Sequence, residues 1–319
     1  MYFKRLIIVT VITYLVASGI GALLDQRFKK RWSALFFEST TELIKGSTNH
    51  DIIFIGNSRV HSGINPYYID SVTKLNSYNF GIGGAGAADI LLTSTLYLQQ
   101  HPAPKLVVIS LNLSTLLKND ILKTRYQYLF FLGNDTINKY MRQAGFLTTL
   151  VKIFPFLKYS FFDEYNRTSL FVKGKPYPVF DHNIYKGFIN INQHVNGKAE
   201  GVYNSEKQTA NLWDSAIMSL KNVVVKLQRA GCMIVFVSPP KRSDSGSRED
   251  PLQKMADTIF AGIAANYQVK WLHFENDPMY TDEYFSDEIH LNEPGTKIYS
   301  KQLADSIKSL YPYQNKSSH

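Results

Sequence analysis

Five short apolar runs, Asp51–Ile55, Ser77–Phe80, Leu106–Leu111, Met233–Val237 and Val269–Phe274, are mostly separated by segments long enough for a crossover helix. Runs of this kind suit parallel strands buried on both faces, whose neighbours can be reached only through such crossovers. They predict an α/β chain with a five-stranded, mainly parallel sheet and helices on both faces. The helices are expected at Ala87–Gln100, Gln208–Ala230, Pro251–Tyr267 and Pro294–Leu310. In the third, Leu252, Met255, Ala256, Ile259 and Ile263 share one face, the pattern of a helix packed on a sheet.

The chain is long enough, at 319 residues with 45% hydrophobic and 19% charged residues, for one large globular domain with an elaborating insertion. The formal net charge of +9 comes from scattered basic residues without a nucleic-acid motif, which favours an anionic lipid or polymer over nucleic acid as the facing surface. The single cysteine, Cys232, excludes an intrachain disulfide and reads as a small buried hydrophobe.

Leu6–Leu24 is an uncharged, mostly apolar run, and about 19 helical residues cross roughly 30 Å of hydrocarbon. It reads as a signal anchor, with a cleaved signal peptide as the rival because Ala17-Ser18-Gly19 and Gly21-Ala22 offer small residues to a peptidase. Lys4 and Arg5 precede the span and Arg27, Lys29, Lys30 and Arg31 follow it, so counting positive charges favours a cytoplasmic C-terminal side. The expected organisation is an anchor or signal segment over 1–27, a connector over 28–50, a main domain over 51–310 and a tail over 311–319. The stretch 118–206, rich in Tyr, Phe and Asn, interrupts the main domain as an insertion, either a packed elaboration or a lid over the site.

Ile55-Gly56-Asn57-Ser58-Arg59 runs a strand into a small-residue turn with a serine at its tip. Open α/β sheets place their sites at such carboxyl ends, although a serine there also serves as a plain helix cap. In Phe285-Ser286-Asp287-Glu288-Ile289-His290, a carboxylate three residues before a histidine can hold the imidazole Nδ1–H and leave Nε2 free as a base. By itself the pair also fits a metal site or a salt bridge. Asn79-Phe80-Gly81-Ile82-Gly83-Gly84 follows the second run, and its glycines let main-chain N–H groups approach a ligand. Asn112, at the end of the third run, carries an amide able to donate to an oxyanion or to cap a turn.

These four places, in this order, resemble the SGNH/GDSL hydrolase superfamily over roughly 51–112 and 233–310. Gly56-Asn57-Ser58 is similar to the family's first block, with Asn57 in place of the usual acid and Arg59 in place of the usual leucine. Gly84 falls where the second block carries its oxyanion glycine, Asn112 matches the third block loosely, and Asp287 with His290 match the last. The resemblance implies a three-layer, flavodoxin-like sandwich, with the N-terminal transmembrane helix added outside it. It also implies a nucleophilic Ser58, a His290 base held by Asp287, and an oxyanion hole of the Ser58 and Gly84 N–H groups with Asn112 Nδ2. No cofactor or metal is called for.

Gly-Asn-Ser-Arg-Val, with Gly-Ile-Asn-Pro soon after, is similar to membrane-anchored members associated with cell-surface polymers. That similarity, rather than the charge count, implies an extracytoplasmic domain at the periplasm or cell surface. The implied partners are the membrane, an acylated carbohydrate or wall polymer, and for a transferase a membrane acyl-donor protein. The expected activity is that of a serine esterase or O-acyltransferase working through an acyl-serine. A non-catalytic binding or scaffold protein and a lipid hydrolase are the alternatives. Arg59 and His61 are expected to contact an anionic substrate or to face solvent.

Overall fold

In the computed structural model, which describes residues 2–32, 38–46, 48–117, 126–143, 145, 147–161, 185–190, 214–242, 251–275 and 277–310, the five apolar runs form one sheet. Its strands are β1 (Ile52–Ile55), β2 (Ser77–Asn79), β3 (Leu106–Ser110), β4 (Met233–Ser238) and β5 (Lys270–His273). They lie in the order β2-β1-β3-β4-β5, and every neighbouring pair is parallel. Each boundary falls within a residue or so of the sequence expectation.

Side chains alternate between the two faces of a strand, so both faces of the central strands must be covered. On one face Ile52, Phe54, Leu106, Val108, Val235 and Val237 join a core with Ile69 and with Tyr299, Leu303 and Ile307 of the C-terminal helix Glu293–Leu310. The alternate residues Ile53, Ile55, Val107, Ile109 and Phe236 are also buried, on the side where helices Ala87–Gln100 and Asp214–Arg229 pack together and against the sheet. Helix, sheet and helix make the three layers. Each fully buried aliphatic side chain contributes about 1.5 to 3 kcal/mol of transfer free energy, which is why this apolar patterning specifies the sheet so strongly.

The helix Pro251–Asn266 corrects one expectation. Its buried face is Ala256, Phe260, Ile263 and Ala264, while Met255 is exposed. The stripe is rotated because Phe260, the largest apolar side chain of the helix, takes the inward position and packs edge-on against Trp271. Cys232 is buried at the head of β4, and burial pushes its thiol pKa up to about 11.

Two compact units emerge. One joins the described residues within 1–40 and 120–179, and the other joins those within 41–119 and 180–319, including the whole sheet. In the first, the helix Tyr2–Trp32 contains a stretch, Tyr2–Arg27, long and apolar enough to cross a membrane. The Tyr14 hydroxyl donates to the Ile153 carbonyl at 2.9 Å, and Lys158 pairs with Asp25 at 2.6 Å, where the Tyr159 hydroxyl also donates. Much of the insertion expected over 118–206 and all of the tail over 311–319 lie outside the described residues.

Candidate active site

The order 2-1-3-4-5 reverses direction at the boundary of β1 and β3, the switch point at which open α/β sheets place their ligands. Ser58 follows β1 and Asn112 follows β3, so the topology brings both to that point.

Gly56 makes the sharp exit from β1 possible. A Cβ there would lie 2.6 Å from Val60 Cγ2 and 3.0 Å from Ser110 Cβ. Ser58 then opens a short helix, Ser58–His61, capped by Asn57, whose Oδ1 accepts the Arg59 N–H at 3.0 Å. The loop after β2 is fastened alongside: Ile82 N–H donates to Gly56 O at 2.9 Å. Gly81 allows this approach, since a Cβ on it would sit 2.5 Å from the His61 main-chain nitrogen. Asn79 braces the helix Ser58–His61 and the residues after it, its Nδ2 donating to Val60 O and Ile64 O at 2.7 Å each. In the same loop Gly84 takes a left-handed φ of 66°, which favours glycine.

Asp287 and His290 sit in the loop between the turn Asp282–Tyr284 and the C-terminal helix. That loop is closed by Ser286 N–H donating to His290 O at 2.8 Å and by Asn292, whose Nδ2 donates to Glu283 O and whose Oδ1 accepts Gly295 N–H. Thr296 and Ser300 of the following helix bond to Ser62 O and Asn65 N–H, locking the loop's register to the segment just after Ser58.

The outcome is a continuous relay. His290 Nε2 lies 2.8 Å from Ser58 Oγ, and His290 Nδ1 lies 2.7 Å from Asp287 Oδ2. The other carboxylate oxygen, Asp287 Oδ1, accepts the N–H groups of Ile289 and His290 at 2.9 and 2.8 Å. Burial raises the Asp287 pKa, but the His290 hydrogen bond and charge and these two N–H donors outweigh it, and the net shift is downward. Asp287 is therefore an anion at neutral pH, and it holds the imidazole in the tautomer that presents Nε2 to the hydroxyl.

A second chain of bonds ends at Asn112. Asn57 Oδ1 is occupied by Arg59 N–H, so its Nδ2 donates to Ser114 Oγ at 3.2 Å. The Ser114 hydroxyl in turn donates to Asn112 Oδ1. With its oxygen so engaged, Asn112 Nδ2 is left buried and without a hydrogen-bond acceptor among the described residues. A buried, unspent donor at the switch point suits a ligand oxygen. Ser114 was not visible as a site residue from sequence, because one serine two positions after an asparagine carries no signal of its own.

Arg59 is turned inward rather than toward solvent. It is buried, and its Nη2 donates to the carbonyl oxygens of Pro239 and Pro240, the latter at 2.9 Å, tying the Ser58 turn to the exit of β4. Its guanidinium satisfies main-chain acceptors that would otherwise be stranded. His61 is half-buried, and burial pushes its pKa down to about 4, so it offers no cation to an anionic ligand at neutral pH. Its carbonyl accepts Ile189 N–H at 3.0 Å, which places residues 185–190 of the insertion beside the helix Ser58–His61. After β4, Arg242 N–H donates to Glu288 O at 3.2 Å, so that strand exit also holds the Asp287–His290 loop.

No protein-family model matches the chain, and no curated protein matches it in sequence. Solved structures similar to it include a lipase/acylhydrolase from Enterococcus faecalis, at 12% identity and TM-score 0.43, covering 82% of this chain and 98% of that one. An acetylxylan esterase from Geobacillus stearothermophilus, solved as a catalytic mutant, has 14% identity and TM-score 0.41, with 84% and 96% coverage. A structure described as a lipolytic protein of the G-D-S-L family from Desulfitobacterium hafniense has 10% identity and TM-score 0.40, with 81% and 99% coverage.

Proposed function

We propose that this chain is a serine esterase of the SGNH/GDSL type, held at a membrane by its N-terminal helix and acting on acyl esters of cell-surface glycans or wall polymers. The observation that carries this reading is the unbroken contact from Asp287 through His290 to Ser58 Oγ. A serine used only as a helix cap needs no imidazole at its hydroxyl, and no carboxylate behind that imidazole.

In the proposed reaction His290 Nε2 takes the Ser58 proton as Oγ forms a bond to the ester carbonyl carbon, and Asp287 stabilises the imidazolium. The carbonyl oxygen becomes an oxyanion facing the Ser58 and Gly84 N–H groups and Asn112 Nδ2. Each such donor is worth about 2.7 to 4 kcal/mol in the barrier. Collapse breaks the ester C–O bond, His290 returns the proton to the leaving alcohol, and an acyl-serine remains. Water, deprotonated by His290, then releases the acid and restores Ser58. A sugar hydroxyl in place of that water converts hydrolysis into transfer.

The extracytoplasmic placement and the glycan substrate rest on the similarity of Gly56-Asn57-Ser58-Arg59-Val60 to membrane-anchored surface-polymer members. The direct test is turnover of p-nitrophenyl acetate by the full chain in detergent, beside folded Ser58→Ala and His290→Ala variants. Loss of turnover in both supports the reading. Turnover indifferent to either change, or a wild-type protein that neither turns over ester nor reacts with a serine-directed phosphonate, overturns it.

A further inference from the structure

At the amino ends of the strands, away from Ser58, three side chains converge that the proposed chemistry does not use. Glu42 comes from the helix Glu38–Lys45, His50 immediately precedes β1, and His101 follows the helix Ala87–Gln100. One ligand atom from each, a carboxylate oxygen or a ring nitrogen, lies within 4.8 Å of the other two. Glu42 Oε1 and His50 Nε2 are 3.6 Å apart, and the His50 side chain is only 1% exposed. Both histidines are buried.

The hydrogen bonds around the cluster are one proton short. His101 Nδ1 lies 3.1 Å from Thr48 O and His101 Nε2 lies 3.0 Å from Glu42 O, so both ring nitrogens face carbonyl oxygens. A neutral imidazole has one N–H, and one of these contacts therefore sets a nitrogen lone pair against an oxygen lone pair. Glu42 Oε1 is buried as well, with no hydrogen-bond partner among the described residues. Surplus acceptors around one point, facing inward and lacking donors, are the arrangement a cation resolves.

We propose that Glu42, His50 and His101 form a binding site for a divalent metal ion of the zinc class. Two imidazoles and a carboxylate are ligands of that class, bound at about 2.0 to 2.2 Å. Tetrahedral ligands at such lengths stand about 3.4 Å apart, close to the Glu42–His50 spacing of 3.6 Å. The second contacts partly fit: His50 Nδ1 lies 3.3 Å from the Tyr97 hydroxyl and His101 Nδ1 can donate to Thr48 O, which leaves both Nε2 atoms for the metal once the His101 ring turns from Glu42 O, 3.0 Å from its Nε2. Glu42 is the partly exposed member, at 22%, so its side chain can close on the ion and water can complete the coordination. The ion would fasten the helix Glu38–Lys45 to the sheet domain and supply the missing positive charge.

The experiment uses the full chain in detergent, freed of metal with a chelator and titrated with ZnCl2 and, for its absorption spectrum, CoCl2. One equivalent is expected to bind with micromolar or tighter affinity. Cobalt should give the visible bands of a tetrahedral nitrogen and oxygen site, and zinc should raise the midpoint of thermal unfolding. Glu42→Gln and His101→Asn, checked to be folded by circular dichroism, should each weaken binding at least tenfold and abolish the cobalt bands while leaving ester turnover unchanged. Absence of saturable binding by the folded wild-type protein would overturn the proposal, as would binding that persists undiminished in both variants. Detection of two ring N–H protons on His101 in zinc-saturated protein would also overturn it, because the missing charge would then be a proton.

Discussion

His290 Nε2 lies 2.8 Å from Ser58 Oγ across 232 residues of sequence, and the contact is fixed from both sides. Thr296 and Ser300 carry the register of the histidine loop onto the residues just beyond Ser58. Ser58→Ala and His290→Ala are expected to lower kcat for p-nitrophenyl acetate by at least about 10³-fold, and Asp287→Asn by about 10²- to 10⁴-fold, with near-unchanged unfolding midpoints. Steady-state kinetics and thermal melts on the same preparations check this.

The bonds from Asn57 through Ser114 to Asn112 make a graded prediction. Asn112→Ala removes the buried, unpartnered donor of the proposed oxyanion site and is expected to lower kcat by about 10²- to 10³-fold with little change in KM. Ser114→Ala keeps that donor but frees the amide to rotate, so a smaller loss of about tenfold is expected. An Asn112→Ala effect confined to KM would count against an oxyanion role.

Arg59→Leu is expected to destabilise the domain by about 2 to 5 kcal/mol, because it strands the Pro239 and Pro240 carbonyls on which the guanidinium is spent. Urea melts measure the loss. The ratio of kcat/KM for neutral and anionic esters should stay unchanged in whatever fraction remains folded.

Two glycines of one loop should behave oppositely. A Cβ at Gly81 would collide with the His61 backbone at 2.5 Å, whereas one at Gly83 meets nothing within 4 Å. Gly81→Ala is expected to cost about 1 to 3 kcal/mol and to displace the helix Ser58–His61, while Gly83→Ala should stay within about 0.5 kcal/mol of wild type. Paired denaturation curves test the contrast.

His61 contributes to acid sensitivity. Its pKa is about 4 in the folded protein against roughly 6.5 in an unfolded chain, so between those values the unfolded state binds the extra proton. Stability from this group is therefore fully present above about pH 6.5 and declines as pH falls toward 4, by a total of about 3 kcal/mol. In His61→Gln the drop in unfolding free energy between pH 7 and pH 4 should be smaller by about that amount.

Much of this architecture is legible in the sequence because it is written in local patterns. The buried strands are nearly continuous apolar runs, and Gly56-Asn57-Ser58 and Asp287–His290 each carry their geometry within a few residues. What escaped depends on contacts between distant segments. Arg59 reads as a surface cation until the β4 exit supplies its acceptors, 180 and 181 residues away. The tilt of the helix Pro251–Asn266 depends on Trp271, and Glu42, His50 and His101 have no motif spacing that would announce them together. The short helices Ser58–His61, Pro66–Thr73 and Leu113–Leu116 were too brief to show a period.

If Ser58, Asp287 and His290 act as proposed, their order along the chain keeps the protein silent while it is being made. Ser58 leaves the ribosome well before His290, which follows it by 232 positions. At about 5 to 20 residues per second, the 232 residues between them take roughly 12 to 46 s to synthesise. Throughout that interval the growing chain carries its hydroxyl without a base. A product terminated between Ser58 and Asp287 would retain the apolar helix and the serine yet lack both the imidazole and the carboxylate behind it.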